Sequence, residues 1–336
     1  MKRVAFIDTE IQPKTEKVLD IGGIRGDSST FHSANIGAFT AFLRESSFVC
    51  GHNIINHDLK YIGNAIRDAG ISESNVIDTL YLSPLLFPAR PYHALVKDDK
   101  LQSEERNNPL NDSIKAKELF IDELDAFHRL GQDMKNIYYK LLKDQTYFQA
   151  FFRFIGYQPE SFNIERTIRD KFKGQICGNT NLLKLISVHP VELAYSLALI
   201  HADSRYSITP PWVLRNYPAV EKVMFILKSN PCLTGCVYCN ESWDIHKGLK
   251  RFFGFDKYRS YDGEPLQEKA VKAAVDNKSL LAIFPTGGGK SLTFQIPALM
   301  SGEAVKGLTV IISPLQSLMK DQVDNLEDSG ITEAVT

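Results

Sequence analysis

The chain has 336 residues, a formal net charge of −1 at pH 7 and a pI near 6.7. This length predicts two or three compact domains, and the near-neutral charge excludes a global attraction to polyanions, so nucleic-acid contacts would need local basic patches. The apolar start at 4–7 runs straight into charged residues, and no apolar run approaches the length of a membrane span. We therefore expect a cytoplasmic protein with no membrane segment.

Residues 1–125 alternate short apolar runs with polar stretches of helical spacing, which predicts a first α/β unit. The runs at 4–7 and 48–50 are typical of strands, and 39–46 is typical of a helix. Residues 126–229 are dense in aromatic and apolar residues at helical spacing and predict a helical connector. A cysteine-rich segment follows at 230–249, and a second, partial α/β unit is expected at 250–336.

Four carboxylates in the first unit predict a metal site. Asp8 and Glu10 lie two apart at the end of an apolar strand, so both side chains point to one face. Asp58 follows a turn and precedes a helix, and Asp112 opens a later helix. Hard oxygen ligands of this kind suit Mg²⁺ or Mn²⁺, and two such ions can clamp the oxygens of a phosphodiester during hydrolysis.

The order of these acids resembles the DnaQ-like, or DEDD, family of 3′-to-5′ exonucleases over roughly residues 1–125. The resemblance implies an RNase H-like domain that acts on a single strand or a 3′ end of DNA. Asp8 and Glu10 match the first motif, Asp58 the second and Asp112 the third, while Asp78 matches an intervening segment with an expected structural role.

The match departs from the family at the general base. The usual histidine, five residues before the last aspartate, is Asn107 here. His93, in the loop that leads to the third motif, is the expected substitute. His57 is the other candidate, although helical geometry should point it away from the carboxylates. A third reading is that no base works and the domain is a catalytically dead DNA-binding or scaffold module.

Three cysteines within eight positions, Cys232, Cys236 and Cys239, predict a metal site in a reducing compartment. Cys177 as the fourth ligand would give a structural Cys₄ zinc site, and His246 would give Cys₃His. We favour Cys177, which precedes a turn-like segment. An iron–sulfur cluster and unmetallated thiols are the alternatives.

The second α/β unit is expected to contain a nucleotide-binding loop. The apolar runs at 280–284 and 308–312 predict buried parallel strands on either side of a helix that begins at 289–291. Between them lies a glycine run whose backbone N–H groups can surround phosphates, with a lysine for the phosphate oxygens and a serine for Mg²⁺. Its residues are Thr286, Gly287, Gly288, Gly289, Lys290 and Ser291.

Residues 250–336 resemble the opening motifs of RecQ-like superfamily 2 helicases, through segments 253–259, 285–297 and 313–322. The resemblance implies a partial RecA-like domain that binds ATP, in which Arg259 and Gln267 read the adenine and the 313–315 segment touches the DNA backbone. The family's Asp-Glu-x-His motif would lie beyond residue 336, so we expect an ATP-binding loop with an incomplete motor.

Together these patterns predict a metal-dependent 3′-to-5′ exonuclease that acts on DNA, within an exonuclease–helicase fusion used in DNA repair or in defence against foreign DNA. The alternative is the scaffold module, in which DNA is bound but not cut.

Overall fold

The structure is a computed structural model that describes residues 3–95, 108–202, 208–229, 232, 234–285, 287–305, 308–332 and 334. The chain divides into two compact units. Unit 1 comprises Met1–Lys171 and Leu182–Val223, and unit 2 comprises Phe172–Asn181 and Met224–Thr336. The mixed α/β class expected from the sequence is confirmed, with a sheet in unit 1 and helices in both units.

Unit 1 is built on a sheet of five strands in the order β3-β2-β1-β4-β5. The strands are β1 (Val4–Ile11), β2 (Val18–Arg25), β3 (Thr30–His32), β4 (Phe48–Gly51) and β5 (Val76–Asp78). The first three pair antiparallel, whereas β4 pairs parallel to β1 and to β5. The central strand β1 therefore has neighbours on both edges, and its first four residues are buried.

The helices of unit 1 connect and cover this sheet. They are α1 (Ile36–Leu43), α2 (Leu59–Asp68), α3 (Thr79–Leu86), α4 (Pro109–Arg129), α5 (Gln132–Leu142), α6 (Gln149–Ile155), α7 (Ile164–Lys171), α8 (Leu182–Val188), α9 (Pro190–Ala202), α10 (Pro211–Asn216) and α11 (Ala219–Met224), with a 3₁₀ turn at Glu73–Asn75. Helix α11 ends at the boundary between the units.

The helical middle of the chain packs together with the sheet rather than forming a unit of its own. Phe120 of α4 lies against Phe6 of β1 at 5.8 Å between ring centroids and against Phe154 of α6 at 5.2 Å. Two buried tyrosines also join the later helices to α3. The Tyr138 hydroxyl donates to the Leu85 carbonyl at 3.0 Å, and the Tyr195 hydroxyl donates to the Tyr81 backbone carbonyl at 2.9 Å. Aromatic side chains and buried hydroxyls thus join these helices to the sheet and to α3.

Unit 2 is helical in the residues that the structure describes. Its helices are α12 (Val237–Ser242), α13 (Ile245–Phe253), α14 (Leu266–Val275), α15 (Leu292–Val305) and α16 (Gln316–Asp328), preceded by a π-helical turn at Phe225–Ser229. A core of Leu249, Val271, Ile296 and Met300 joins α13, α14 and α15.

The two strands expected at 280–284 and 308–312 are not found in the structure. Neither run is part of a β-ladder in the described residues, and their side chains are largely exposed, with Leu281 at 87%, Ile283 at 81%, Leu308 at 91% and Ile312 at 92%. A buried parallel strand requires a ladder partner on each edge and helices over both faces. The apolar sequence supplies the propensity for a strand but not those neighbours.

Among the helices that the structure describes, none combines the length and the apolar character that a bilayer crossing requires.

Candidate functional site

Strand β1 presents two of the four expected carboxylates on one face. Asp8 and Glu10 are half-buried, whereas Thr9 between them is buried, as the alternation of a strand requires. In the sheet register Asp8 lies opposite Gly22 of β2, and Glu10 lies opposite Asp20.

Asp58 is fixed to the end of β1 by Thr9. One oxygen of the buried carboxylate, Oδ1, accepts hydrogen bonds from the Thr9 backbone N–H at 3.0 Å and from the Thr9 hydroxyl at 2.5 Å. The other oxygen, Oδ2, has no hydrogen-bond partner among the residues that the structure describes. Thr9 therefore holds Asp58 beside the strand that carries Asp8 and Glu10.

The turn that leads to Asp58 is organised by Asp78, for which the family resemblance implies a structural role. The Asp78 carboxylate is fully buried and accepts from the backbone N–H groups of Asn53, Ile55 and Leu80 at 2.8, 3.0 and 2.9 Å. Asn53 adopts the left-handed conformation, with φ of 61°. Burial raises the pKa of Asp78 to about 7, although the three donors act in the opposite direction.

Asp112 lies in the first turn of α4, and the start of this helix packs against β2 next to Asp8. A Cβ added to Gly22 would lie 2.0 Å from the backbone nitrogen of Leu110, so only glycine permits this approach. Because Gly22 pairs with Asp8, the amino-terminal end of α4 lies beside the register position of Asp8. The elements that carry all four acids thus meet at one part of unit 1.

The four carboxylates do not form a group of three or more that could share one ion in the described residues. Like charges at short range repel, and side chains of this kind approach one another when divalent cations compensate the charge. A two-metal site also divides its ligands between ions about 3.5–4 Å apart, so a single shared position is not required.

The histidines occupy positions that differ from the expectation. His57 lies before α2 begins, in the turn, and its Nδ1 is 3.5 Å from Asp58 Oδ1. The expectation that helical geometry points His57 away is therefore wrong, because this residue is not in the helix. The hydrogen bond to Asp58 raises the pKa of His57 against the effect of partial burial, and the charges of Asp8 and Glu10 act in the same direction as Asp58.

His93 is buried, with 6% of its surface exposed, and its Nδ1 is 3.0 Å from the Ser83 hydroxyl. Burial lowers the pKa of His93 to about 4 and that of its neighbour His52 to about 4 as well. The role of His93 as the substitute base stays a prediction. Asn107, which stands at the usual position of the base, lies outside the described residues.

The nucleotide loop of unit 2 is held by contacts from the segments expected to read the adenine. Arg259 donates through Nη1 to the carbonyl of Gly287 at 2.8 Å, and Gln267 donates through Nε2 to that of Gly289 at 2.9 Å. Gln267 also accepts from the Arg259 backbone N–H at 2.9 Å. Both glycines have positive φ, 73° and 68°, which side chains rarely adopt.

Lys290 and Ser291 have protein partners in this structure. The Lys290 ammonium donates to the Phe284 carbonyl at 3.1 Å, and the Ser291 hydroxyl accepts from Gln322 at 3.0 Å. Gln322 also accepts from Gln295 at 2.9 Å, so it bridges the loop and α15. Gln322 lies in the 313–322 segment, but no sequence pattern predicts this bridge. Gly288 completes the described part of the loop, and Thr286 lies outside the described residues.

The four cysteines named from the sequence come together in unit 2. The sulfur atoms of Cys177, Cys232, Cys236 and Cys239 all lie within 4.8 Å of one another. Burial raises the pKa of the Cys177 and Cys239 thiols. Burial would also raise the pKa of Cys236, but hydrogen bonds from the backbone N–H groups of Cys239 and Gly178 outweigh it and lower the pKa to about 7.

His246, the alternative fourth ligand, is not in this group. Its Nε2 lies 3.1 Å from a Glu268 carboxylate oxygen, and its ring lies against Tyr258 with 5.4 Å between centroids.

Comparisons with known proteins bear on the carboxyl-terminal part of the chain. Residues 264–336 match the model of the DEAD/DEAH box helicase family. The ATP-dependent DNA helicase RecQ of Bacillus subtilis is 48% identical over 87 residues, which are 26% of this chain and 13% of the relative. RecQ of Haemophilus influenzae is 47% identical over 83 residues, 25% of this chain and 12% of the relative. ATP-dependent DNA helicase Q5 of Rattus norvegicus is 43% identical over 83 residues, which are 24% of this chain and 8% of the relative.

These matches support a RecQ-like, superfamily 2 helicase part in this chain. The chain covers about an eighth or less of the length of these relatives. No solved structure is significantly similar to the chain.

Proposed function

We propose that this chain is a DNA-processing enzyme in which a metal-dependent 3′-to-5′ exonuclease, formed by unit 1, is joined to an ATP-binding part of a RecQ-like helicase. The observation that carries the nuclease half is the meeting of three elements: the Asp8 and Glu10 strand, the turn that ends in Asp58, and the start of the Asp112 helix. The mixed sheet with a central, doubly paired β1 is compatible with the RNase H-like domain that the sequence resemblance implies.

The carboxylates fit the hard divalent cations that phosphodiester hydrolysis uses. Asp8, Glu10, Asp58 and Asp112 would hold Mg²⁺ or Mn²⁺, which supply an activated water and charge stabilisation at the phosphate when bound. Thr9 orients Asp58 through Oδ1, which leaves Oδ2 for a ligand. The single strand or 3′ end of DNA is the substrate that we propose.

His57 is the base that the geometry favours. It lies beside Asp58 and within the field of Asp8 and Glu10, so it is placed to accept a proton from a water held at the carboxylates. His93 is buried and bonded to Ser83. It is the weaker candidate because a base must reach the reacting water.

Degradation of a 5′-labelled single-stranded DNA in Mg²⁺ or Mn²⁺ tests this assignment. Loss of the base lowers rates by about 10²–10⁴-fold in general, so His57→Ala should lose at least about a hundredfold while His93→Ala keeps most of the activity. The reverse order would transfer the role to His93. Bound but uncut DNA with folded wild-type protein would favour the scaffold module instead.

The helicase half binds ATP at the 287–291 loop in this proposal. Arg259 and Gln267 already contact this loop, so a bound nucleotide would exchange some of these hydrogen bonds for contacts to its base and phosphates. Such a part is suited to DNA repair or to defence against foreign DNA. Binding of a fluorescent ATP analogue, lost in Lys290→Ala, is the direct test.

The four cysteines complete the proposal as a metal-binding site of unit 2. Thiolates that converge from distant parts of a chain are costly to bury unless they are bonded to a metal. We expect the full chain, purified without oxygen, to contain a thiolate-bound metal.

A further inference from the structure

The cysteine site draws its ligands from two separate stretches of the chain. Cys232, Cys236 and Cys239 lie on one turn and the start of α12, whereas Cys177 belongs to the short stretch Phe172–Asn181. This stretch lies in unit 2, although the residues on both sides of it lie in unit 1. This short stretch therefore belongs to unit 2, and its Cys177 lies in the cysteine site.

Donors from the same stretch surround the sulfur atoms. The Gly178 backbone N–H lies 3.3 Å from the Cys236 sulfur, and the Asn179 side-chain amide lies 3.3 Å from that of Cys232. Asn179 also donates to the Thr234 hydroxyl at 2.8 Å. N–H groups directed at sulfur stabilise the thiolate form, which is the form that binds metal.

The spacing of the sulfur atoms fits one ion. A tetrahedral zinc with bonds of about 2.3 Å places its sulfur ligands ~3.8 Å apart, and the four sulfur atoms here lie within 4.8 Å of one another. In a four-iron cluster each thiolate binds a different iron, so the sulfur atoms are separated by the width of the cluster as well as by two bonds. The observed spacing is that of ligands around a single centre.

Four protein ligands also leave no open coordination position. Sites of this kind are structural, whereas a catalytic metal keeps a position for water or substrate. We propose that Cys177, Cys232, Cys236 and Cys239 bind one structural Zn²⁺, which fastens Phe172–Asn181 to the unit that carries the nucleotide loop. This inference rests on the metal-binding part of the proposed function and names the ion and its task.

Hydrogen bonds to the π-helical turn also hold this stretch in unit 2. The Cys177 backbone N–H donates to the Leu227 carbonyl at 2.8 Å, and the Thr180 hydroxyl donates to that of Ile226 at 3.2 Å. Asn179 and Cys232 are 53 positions apart, so closing this loop costs chain entropy that metal binding offsets. Without the ion, the stretch should become accessible to protease.

Metal analysis of the full chain, purified without oxygen, tests the inference. Elemental analysis and acid-labile sulfide should give about one zinc per chain and no sulfide. Cys177→Ser and Cys239→Ser should lose the zinc, whereas Cys50→Ala, at the cysteine outside the cluster, and His246→Ala, at the rejected ligand, should keep it. A chelator should lower the melting temperature by more than about 5 °C and expose Phe172–Asn181 to limited proteolysis.

Different results would contradict the zinc assignment and the metal site itself. Iron with sulfide, or a single iron, would refute zinc but leave a metal-binding site. A chain without metal would refute both, as would zinc retained in all the cysteine variants. Zinc lost from His246→Ala and kept in Cys177→Ser would refute the ligand set. Should the cysteine variants fail to fold, chelation of the wild-type chain followed by zinc return gives the same readouts.

Discussion

Asp78 should make unit 1 less stable as the pH rises from 5 to 8, and replacing it with asparagine should remove that dependence. The carboxyl is fully buried, and burial raises its pKa from the ordinary value of 3.8 to about 7. The folded protein therefore holds a proton that the unfolded chain has released between these two values. Stability is lost as the pH rises through this window, because the unfolded state then binds fewer protons.

The magnitude follows from the shift. A shift of one pKa unit corresponds to about 1.4 kcal/mol. Because of Asp78, the unfolding free energy of unit 1 should therefore be about 2–3 kcal/mol lower at pH 8 than at pH 5. Asp78→Asn cannot ionise. However, its amide nitrogen would face the backbone N–H of Ile55, which now donates a hydrogen bond to one carboxylate oxygen of Asp78. That lost bond costs about 1–3 kcal/mol. The variant should therefore be clearly weaker than wild type at pH 5 and close to it at pH 8.

Urea unfolding at the two pH values measures this. The chain has two tryptophans, Trp212 in unit 1 and Trp243 in unit 2, so a Trp243→Phe background makes fluorescence report on unit 1. The exposed Asp68→Asn is the matched control and should change little at either pH. An equal cost of Asp78→Asn at pH 5 and pH 8 would refute the reasoning.

Two further substitutions test the packing of the site and the nucleotide loop. Gly22→Ala should lower the unfolding free energy by about 2 kcal/mol or more and reduce nuclease activity, because its Cβ would lie 2.0 Å from the Leu110 nitrogen. Gly63→Ala is the control: its Cβ would lie 4.0 Å from the nearest neighbouring atom, so this variant should keep its stability in urea unfolding. Unchanged stability in Gly22→Ala would contradict that packing. Lys290→Ala should weaken MgATP binding by at least about tenfold in a fluorescence titration, and Lys272→Ala, on an exposed helix face, should not; equal affinities would remove Lys290 from the loop's function.

The features that the sequence predicted well depend on local pattern. An apolar run followed by acids two apart predicts a strand with both carboxylates on one face, and β1 has that form. The preference for Cys177 over His246 came from a turn-like neighbourhood, and the structure brings Cys177 together with the other three cysteines. Short spacing and turn chemistry are readable without knowledge of distant partners.

The features that were missed depend on neighbours that no local pattern names. The runs at 280–284 and 308–312 have the composition of buried strands, but no ladder partner in the described residues. The pattern predicts helical geometry at His57, but the helix begins two residues later, and this boundary decides where the His57 ring points. Glu123 lies fully buried, and neither of its oxygens has a hydrogen-bond partner in the described structure, which its helical spacing did not reveal.

The central claim is that the carboxylates of unit 1 hydrolyse DNA from the 3′ end. The most direct measurement compares the products that the full chain makes from 5′-labelled and from 3′-labelled single strands in Mn²⁺, for wild type, Asp112→Ala and Glu118→Ala, an exposed acid of the same helix. We predict a ladder from the 5′ label, immediate mononucleotide from the 3′ label, and loss of both in Asp112→Ala alone. Internal cuts, or full activity in Asp112→Ala, would contradict the account.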